Sequence, residues 1–522
     1  MSEMKEKFWA IQKMFGAEIV EDLPAKLLEA VLSDNREDIF TSYLGLVGDL
    51  ETDFLQKGYQ FYLSDRGKGT KQQDYTPPSI AELCGRLAKC PSGGVVYDCC
   101  AGSGALTIAK HRQDNSLKFV CEELDRKVIP VLLFNLSIRN IEAIVVCGDV
   151  LKNEIYEAYS ITQKRKYGEV KRLDGYELGQ YDACISNPPY NISWEPPQVG
   201  GLFATDERFS KYDMPPKDNA NFAFVLHCLY HTKAGGPACM ILPGGVLSKG
   251  DGSRNIRQQL VDNKLIDSVV IMPDKMFEST SISTCLLTLQ QGGEEISLVD
   301  ARQTYHEEVR NQRGEGDKSR TNRIYHKTLK AFSAEDIEKI ANAIDNRESV
   351  PEFCKTVTAD ILAKQDYSLV PSRYIDFEER ETPHRPYADI FRDLQAVNRE
   401  RNAVKVTMNQ TIAKQTGWDV IAAQVEEAAK KTEALNNGAL KVLALEPLEK
   451  ESWITLSRKA GEIKIENMSK ESVSSLFAIF MPMFKQHIYY LNNRENELLN
   501  ELRDAILPEL MNGKIDVSGM EE

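Results

Sequence analysis

Between about residue 71 and residue 300 the chain alternates short apolar runs with segments of helical spacing, and this alternation restricts the fold more than any other feature. Seven runs read as buried strands, over 95–100, 118–122, 143–147, 182–186, 238–242, 267–272 and 284–289. Helical patterns over 78–88, 125–138, 221–231 and 254–262 fall between them. Parallel neighbours need a crossover, and the crossover is usually a helix. Regular alternation therefore predicts an α/β fold, a mostly parallel sheet covered by helices on both faces.

The flanks read differently. Leu23, Leu27, Leu28, Val31 and Leu32 fall near helical spacing, as do Leu44, Val47, Leu50, Phe54 and Leu55, so 1–70 reads as a helical region of two or three short helices, a lid or bundle. The basic stretch 66–71 lacks the spacing of a phosphate loop, and no ATP site is inferred from it. Another basic stretch, Lys164-Arg165-Lys166 through Lys171-Arg172, reads as an insertion before the fourth strand. Residues 301–330, with Arg302, Arg310, Arg313, Arg320 and Arg323, read as a solvated loop or arm. A helical pattern resumes over 334–346, and Pro371 to Tyr374 reads as an extended crossing. Beyond about 384 the chain is mostly helical. Its last helix carries Ile488, Leu491, Leu498, Leu502, Ile506 and Leu510 on one stripe and stops at Asn512-Gly513. Such a stripe suits either intrachain core or a partner helix.

Charge and cysteine usage narrow the setting. A net charge of −14 argues against unaided, charge-driven nucleic-acid binding over the whole surface, though not against a local basic groove or a basic partner. The eleven cysteines form no metal-type CxxC pairs, and Cys99, Cys100, Cys121, Cys147, Cys184, Cys239 and Cys285 sit in or beside predicted strands as small apolar filler. That pattern fits a reducing cytoplasm better than a disulfide framework or structural zinc. The longest apolar stretch, near 476–484, is too short to span a membrane, and the N-terminus lacks the pattern of a secretory signal.

Asp98-Cys99-Cys100-Ala101-Gly102-Ser103-Gly104 follows the first strand and opens a helix. Glycines there let a ligand approach the backbone closely. A dinucleotide turn needs a further glycine three residues past Gly104, and that position is Thr107. Asp98 at the strand end also suits a cationic or amino-bearing ligand better than a pyrophosphate. The second strand ends in Glu122-Glu123, at the separation from which an acid reaches ribose hydroxyls. The third ends in Gly148-Asp149, placed to accept from an adenine amino group. Acids at three successive strand ends around a glycine turn fit S-adenosyl-L-methionine, which has a positive sulfonium, a ribose, an adenine and no phosphate.

The fourth strand ends in Ser186-Asn187-Pro188-Pro189-Tyr190. Consecutive prolines have no N–H to donate and stiffen the chain where the sheet stops. Ligands bind beyond the carboxyl ends of strands in open α/β sheets. A rigid loop there presents an amide, backbone carbonyls and an aromatic ring, a set suited to a planar substrate bearing NH₂.

Together these motifs resemble the amino-group adenine DNA methyltransferases, and most closely the modification subunits of type I restriction–modification systems. The resemblance covers roughly residues 70–380. Tyr75-Thr76-Pro77 is similar to the family's aromatic-Thr-Pro cofactor motif, with Asp74 where a second aromatic usually stands. Asp98 through Gly104, with Gly102, Ser103 and Gly104, resembles its glycine motif. Glu123 resembles its ribose-binding acid, with Glu122 as a near alternative, and Asp149 its adenine-side acid. Asn187, Pro188, Pro189 and Tyr190 resemble its catalytic motif. Gly235-Gly236-Pro237 through Leu247, and Tyr367-Ser368-Leu369 with Ser372-Arg373-Tyr374, resemble later stretches. Residues from Leu502 to Ile515 resemble the tail of the separate specificity subunit.

The resemblance implies a class I S-adenosylmethionine-dependent methyltransferase with a Rossmann-like seven-stranded sheet as a catalytic domain over 71–300. An extension over 301–380 and a partner-docking helical region over 381–522 would follow. It implies site-specific, adenine-specific DNA methylation on double-stranded DNA. A specificity subunit, and a separate restriction subunit, are the implied partners. Two rivals use the same motifs. A protein-glutamine N5-methyltransferase also presents Asn-Pro-Pro-Tyr to a planar amide, and an inactive scaffold would keep the cofactor fold without transfer.

Overall fold

The computed structural model describes residues 3–51, 53–55, 76–196, 206–250, 252–277, 283–313, 324–376, 384–416, 454–456, 463–465, 487 and 489–511. The chain divides into two compact units, Met1–Asp376 and Phe377–Glu522.

The first unit is built on one sheet. Its strands are β1 (Val95–Asp98), β2 (Lys118–Glu123), β3 (Ala143–Asp149), β4 (Glu154–Thr162), β5 (Glu169–Leu173), β6 (Ala183–Ser186), β7 (Ala238–Pro243), β8 (Ile266–Ile271), β9 (Thr284–Leu289), β10 (Glu295–Asp300) and, after the separate hairpin strands β11 (His306–Arg313) and β12 (Ile324–Ala331), β13 (Cys354–Thr358). The spatial order is β13-β10-β8-β9-β7-β6-β1-β2-β3-β4-β5. All seven expected strands are present and are consecutive neighbours, β3-β2-β1-β6-β7-β9-β8. Within them β9 runs antiparallel to both its neighbours, and the other pairs are parallel.

The expected seven-stranded sheet is thus extended to eleven strands. The basic stretch read as an insertion is the β4–β5 hairpin, which adds an antiparallel edge beside β3. Its strands mix exposed, half-buried and buried residues, because an edge hairpin has one wet face. β10 and β13 extend the opposite edge. The arginine-rich stretch expected as a loop holds the antiparallel pair β11–β12. Arg320 and Arg323 lie outside the described residues. Pro371–Arg373 is a 3-10 turn rather than an extended crossing.

Side chains alternate along the central strands between two cores, one on each face of the sheet. Val96, Cys121, Ala183 and Ile185 belong to one core, and Tyr97, Val120 and Cys184 to the other. β6, β7 and β9 are buried at every residue, as strands covered on both faces must be. Helices Pro78–Leu87, Ala105–Gln113, Ile129–Ile138 and Ala334–Asp345 cover the first face, and Asn221–Tyr230 and Ser253–Asp262 the second. Of the N-terminal helices, Leu23–Leu32 packs on Ile129–Ile138, and Glu3–Met14 packs on Arg36–Val47. Phe15, Phe40 and Tyr43 meet Phe134 edge-on, with ring centroids 5.5, 5.1 and 4.9 Å away. Every residue of Ile129–Ile138 is buried as a result.

In the second unit, helix Tyr387–Thr416 pairs with Tyr489–Met511. Leu491 and Leu498 of the apolar stripe pack on Ile390, Leu394 and Val397, so that part of the stripe is intrachain core. Arg385 bridges Glu501 at 2.7 Å and Asp393 at 2.8 Å, and Arg401 pairs with Glu495. Ile488 and 512–522 lie outside the described residues. Among the described residues no helix is long and apolar enough to cross a membrane.

Candidate active site

Chain order reverses direction across the sheet between β6 and β1, since β2 and β3 lie on one side and β7 on the other. A crevice opens at the carboxyl ends of strands at such a point. Asp98, the last residue of β1, stands opposite Cys121 of β2 and Ile185 of β6. Glu123 stands opposite Cys147, two residues before Asp149. Asn187, Asp98, Glu123 and Asp149 therefore end four adjacent parallel strands.

After β1 the chain turns sharply. Gly102 and Gly104 have φ of +55° and +96°, the left-handed region that glycine enters without strain. A Cβ on Gly104 would come within 3.0 Å of Leu132, whereas one on Gly102 would meet open space. The two glycines therefore do different work: Gly104 admits the helix packed beneath, and Gly102 leaves room above. Asn135 Nδ2 holds the Ser103 carbonyl at 3.0 Å and also donates to Asp53 at 2.7 Å. The N-terminal segment is thereby tied to the glycine turn.

Asp98 is fully buried and accepts from Thr107 Oγ1 at 2.9 Å. Its Oδ1 and the buried Ser103 Oγ meet no hydrogen-bonding partner among the described residues. Burial pushes the Asp98 carboxyl up to about 8. Glu123 accepts from the Gly102 N–H at 3.0 Å and the Asp125 N–H at 2.8 Å, bracing the turn. Burial raises its pKa against those hydrogen bonds. A carboxylate has about four acceptor positions, so both oxygens retain capacity for hydroxyls. Asp149 Oδ1 accepts from the Leu151 and Lys152 N–H groups at 3.1 and 3.3 Å.

Beyond β6, Asn187 Nδ2 donates to Thr76 Oγ1 at 2.9 Å, and Tyr190 OH donates to Asn187 Oδ1 at 2.7 Å. Residues 111 apart in sequence thus meet at the Asn187 amide. Pro188 is buried, Pro189 and Tyr190 are half-buried, and the Tyr190 ring meets Phe277 edge-on at 6.3 Å. Pro77 stands at the residue before helix Pro78–Leu87, in extended backbone. Tyr75 lies outside the described residues.

Sequence reasoning missed the residues that hold these groups. Asn191 ends the Pro-Pro loop with φ of +53°, a conformation asparagine tolerates. Its N–H donates to Asn221 Oδ1 at 3.0 Å, and Asn221 Nδ2 donates back to its Oδ1 at 3.1 Å. Arg208, 3% exposed, is a second such residue. His227 is buried, and its ring nitrogens contact Tyr97 OH and Arg208 at 2.9 Å each. No local pattern marks these residues, because the partners that tie them to the site lie far away in sequence, 58 residues for Arg208 and Val150 and 130 for His227 and Tyr97.

Residues 50–382 match the family model described as N-6 DNA Methylase. The type I restriction enzyme HindI methylase subunit of Haemophilus influenzae is 27% identical over 387 residues, covering 70% of this chain and 78% of that one. The MpnII methylase subunit of Mycoplasma pneumoniae is 25% identical over 400 residues, covering 72% of this chain and 66% of its own. A solved type I restriction-modification system methyltransferase subunit from Streptococcus thermophilus is 22% identical, with a TM-score of 0.49, covering 72% of this chain and 80% of that one.

Proposed function

The chain belongs to the N-6 DNA Methylase family, and from that premise we propose that it is the modification subunit of a type I restriction–modification system. It methylates N6 of an adenine flipped out of double-stranded DNA. The observation that carries the reading is the row of Asn187, Asp98, Glu123 and Asp149 at adjacent strand ends, with Asn187 bonded to Thr76.

The pocket residues fit S-adenosylmethionine, which supplies a methyl group on a positive sulfonium. Two buried polar atoms, Asp98 Oδ1 and Ser103 Oγ, stand ready beside the open face of Gly102. A row of acids favours a ligand with a cation, hydroxyls and an amino group, and rejects a pyrophosphate. In this reading Asp98 faces the cationic end, Glu123 the ribose and Asp149 the adenine amino group.

On the target side, an exocyclic amino nitrogen is a weak nucleophile because its lone pair is delocalised into the ring. Asn187 Oδ1 and the Pro188 carbonyl accept its two hydrogens and favour a pyramidal nitrogen. Asn187 Oδ1 accepts from Tyr190, and a carbonyl oxygen can accept two hydrogen bonds at once. The bond to Thr76 fixes the amide so that its oxygen faces the base. Tyr190 stacks on the flipped ring. Orientation of this kind supplies much of the rate, and direct attack needs no covalent enzyme intermediate.

A partner subunit reads the target sequence and docks on the C-terminal region, where Tyr489, Tyr490 and Leu499 are exposed beside the buried stripe. The glutamine-methylating rival is not favoured by the family match. The test is Asn187→Ala in the assembled enzyme: adenine methylation is lost while cofactor affinity stays within about threefold. Turnover that survives within a few-fold would remove Asn187 from the chemistry.

A further inference from the structure

We propose that Arg208 is the positioning residue for Asp149 and, through it, for the adenine end of the cofactor, an inference that rests on the site being an S-adenosylmethionine pocket. Arg208 follows the catalytic loop in sequence, yet it reaches back to the turn after β3. Its Nη1 donates to the Val150 carbonyl at 2.5 Å and its Nη2 to the Leu151 carbonyl at 3.1 Å. Those two carbonyls belong to the peptide groups whose N–H ends, at Leu151 and Lys152, donate to Asp149 Oδ1. Two consecutive peptide groups are therefore held at one end by Arg208 and at the other by Asp149. A peptide group is planar and stiff, so fixing its carbonyl fixes the direction of its N–H. The carboxylate that accepts both N–H groups is aimed accordingly.

The guanidinium is itself held rigid. Nε and Nη2 form a fork on Asp206, with the closest contacts at 2.9 and 2.6 Å. Nη1 also meets His227 Nδ1 at 2.9 Å. Burial holds that imidazole well below its usual range, so it is neutral and Nδ1 accepts. The proton then sits on Nε2, which donates to Tyr97 OH at 2.9 Å, and Tyr97 donates to Glu122 at 2.5 Å. The hydrogen bonds run in one direction from Arg208 to the end of β2. The next residue, Phe209, packs on Trp194 of the catalytic-loop segment with ring centroids 5.5 Å apart. Lysine, a point charge without a fork, cannot hold two carbonyls and a carboxylate together.

The test is calorimetric binding of S-adenosylhomocysteine and of S-inosylhomocysteine, which carries a carbonyl where adenine carries NH₂, to the full chain. Wild-type protein prefers the adenosyl ligand by about tenfold to hundredfold, the worth of one hydrogen bond to a charged acceptor. Arg208→Lys reduces that preference to within about threefold while binding of the inosyl ligand is retained. A merely loosened fold weakens both ligands in proportion and leaves the ratio unchanged, so an unchanged ratio overturns the inference. Asp206→Asn, at the outer end of the fork, is the milder variant if the lysine protein does not fold. It lowers the preference in the same direction, and an unchanged ratio there also overturns the inference. Wild-type protein that binds neither ligand overturns the cofactor reading, and this inference with it.

Discussion

Asp98 gives the sharpest quantitative prediction. Its carboxyl is fully buried, and burial pushes it up to about 8, so in the cofactor-free protein it is mostly protonated at neutral pH. With that value, about one molecule in eleven carries the ionised form at pH 7. A cationic ligand binds the ionised form, so the observed affinity is reduced by that fraction and rises with pH. Between pH 6.0 and 7.5 the ionised fraction rises about 25-fold, and the dissociation constant for S-adenosylmethionine falls by the same factor. Binding at pH 7 then releases about 0.9 proton. Isothermal titration in buffers of different ionisation enthalpy measures both quantities. Asp98→Asn has no proton to release and shows a flat profile. A wild-type affinity that is constant from pH 6.0 to 7.5, with no proton release, would refute the assignment of Asp98 to the cationic end.

The same burial affects stability. Asp98 and Glu122 both bind protons more tightly folded, at about 8, than at their ordinary values of 3.8 and 4.5. The folded state therefore holds extra protons between those limits, and stability declines as pH rises through the window, approaching about 1.4 kcal/mol per pH unit per group. Thermal unfolding without cofactor should show a lower Tm at pH 8 than at pH 6; a higher one contradicts the burial argument. Gly104→Ala costs about 1–3 kcal/mol of stability, from left-handed backbone and the contact with Leu132. Gly102→Ala costs less stability yet weakens cofactor binding more, and the reverse ranking in paired melting and binding assays would count against the turn's role. Thr76→Val removes the acceptor for Asn187 Nδ2 and slows transfer about five- to tenfold, read from single-turnover rates. Deleting residues 471–522 weakens complex formation with the specificity subunit while sparing cofactor affinity; an unchanged complex refutes that docking site.

What the sequence disclosed, and what it hid, follows from how far each interaction reaches. The seven central strands are legible because helices bury both faces and leave continuous apolar runs. β4 and β5 are not, because an edge hairpin with a wet face mixes charges into its pattern. β11 and β12 pair only with each other, so few of their residues need be apolar. The packing of the N-terminal helices on Phe134 has no local signal either. The same division holds at the site. The glycine turn, the strand-end acids and the Pro-Pro loop carry their chemistry in contiguous residues. Arg208 acts on a carbonyl 58 residues away and Asn135 on Asp53 82 residues away, so neither shows in a linear reading.

The proposed function places Asn187 and the three acids at the methylation of adenine in DNA. Modified-base sequencing of host DNA, with the gene intact and with it carrying Asn187→Ala, tests this most directly. N6-methyladenine is expected at a split, two-part motif in the first strain and is lost in the second. An identical pattern of adenine methylation in both strains, with the protein expressed, would contradict it.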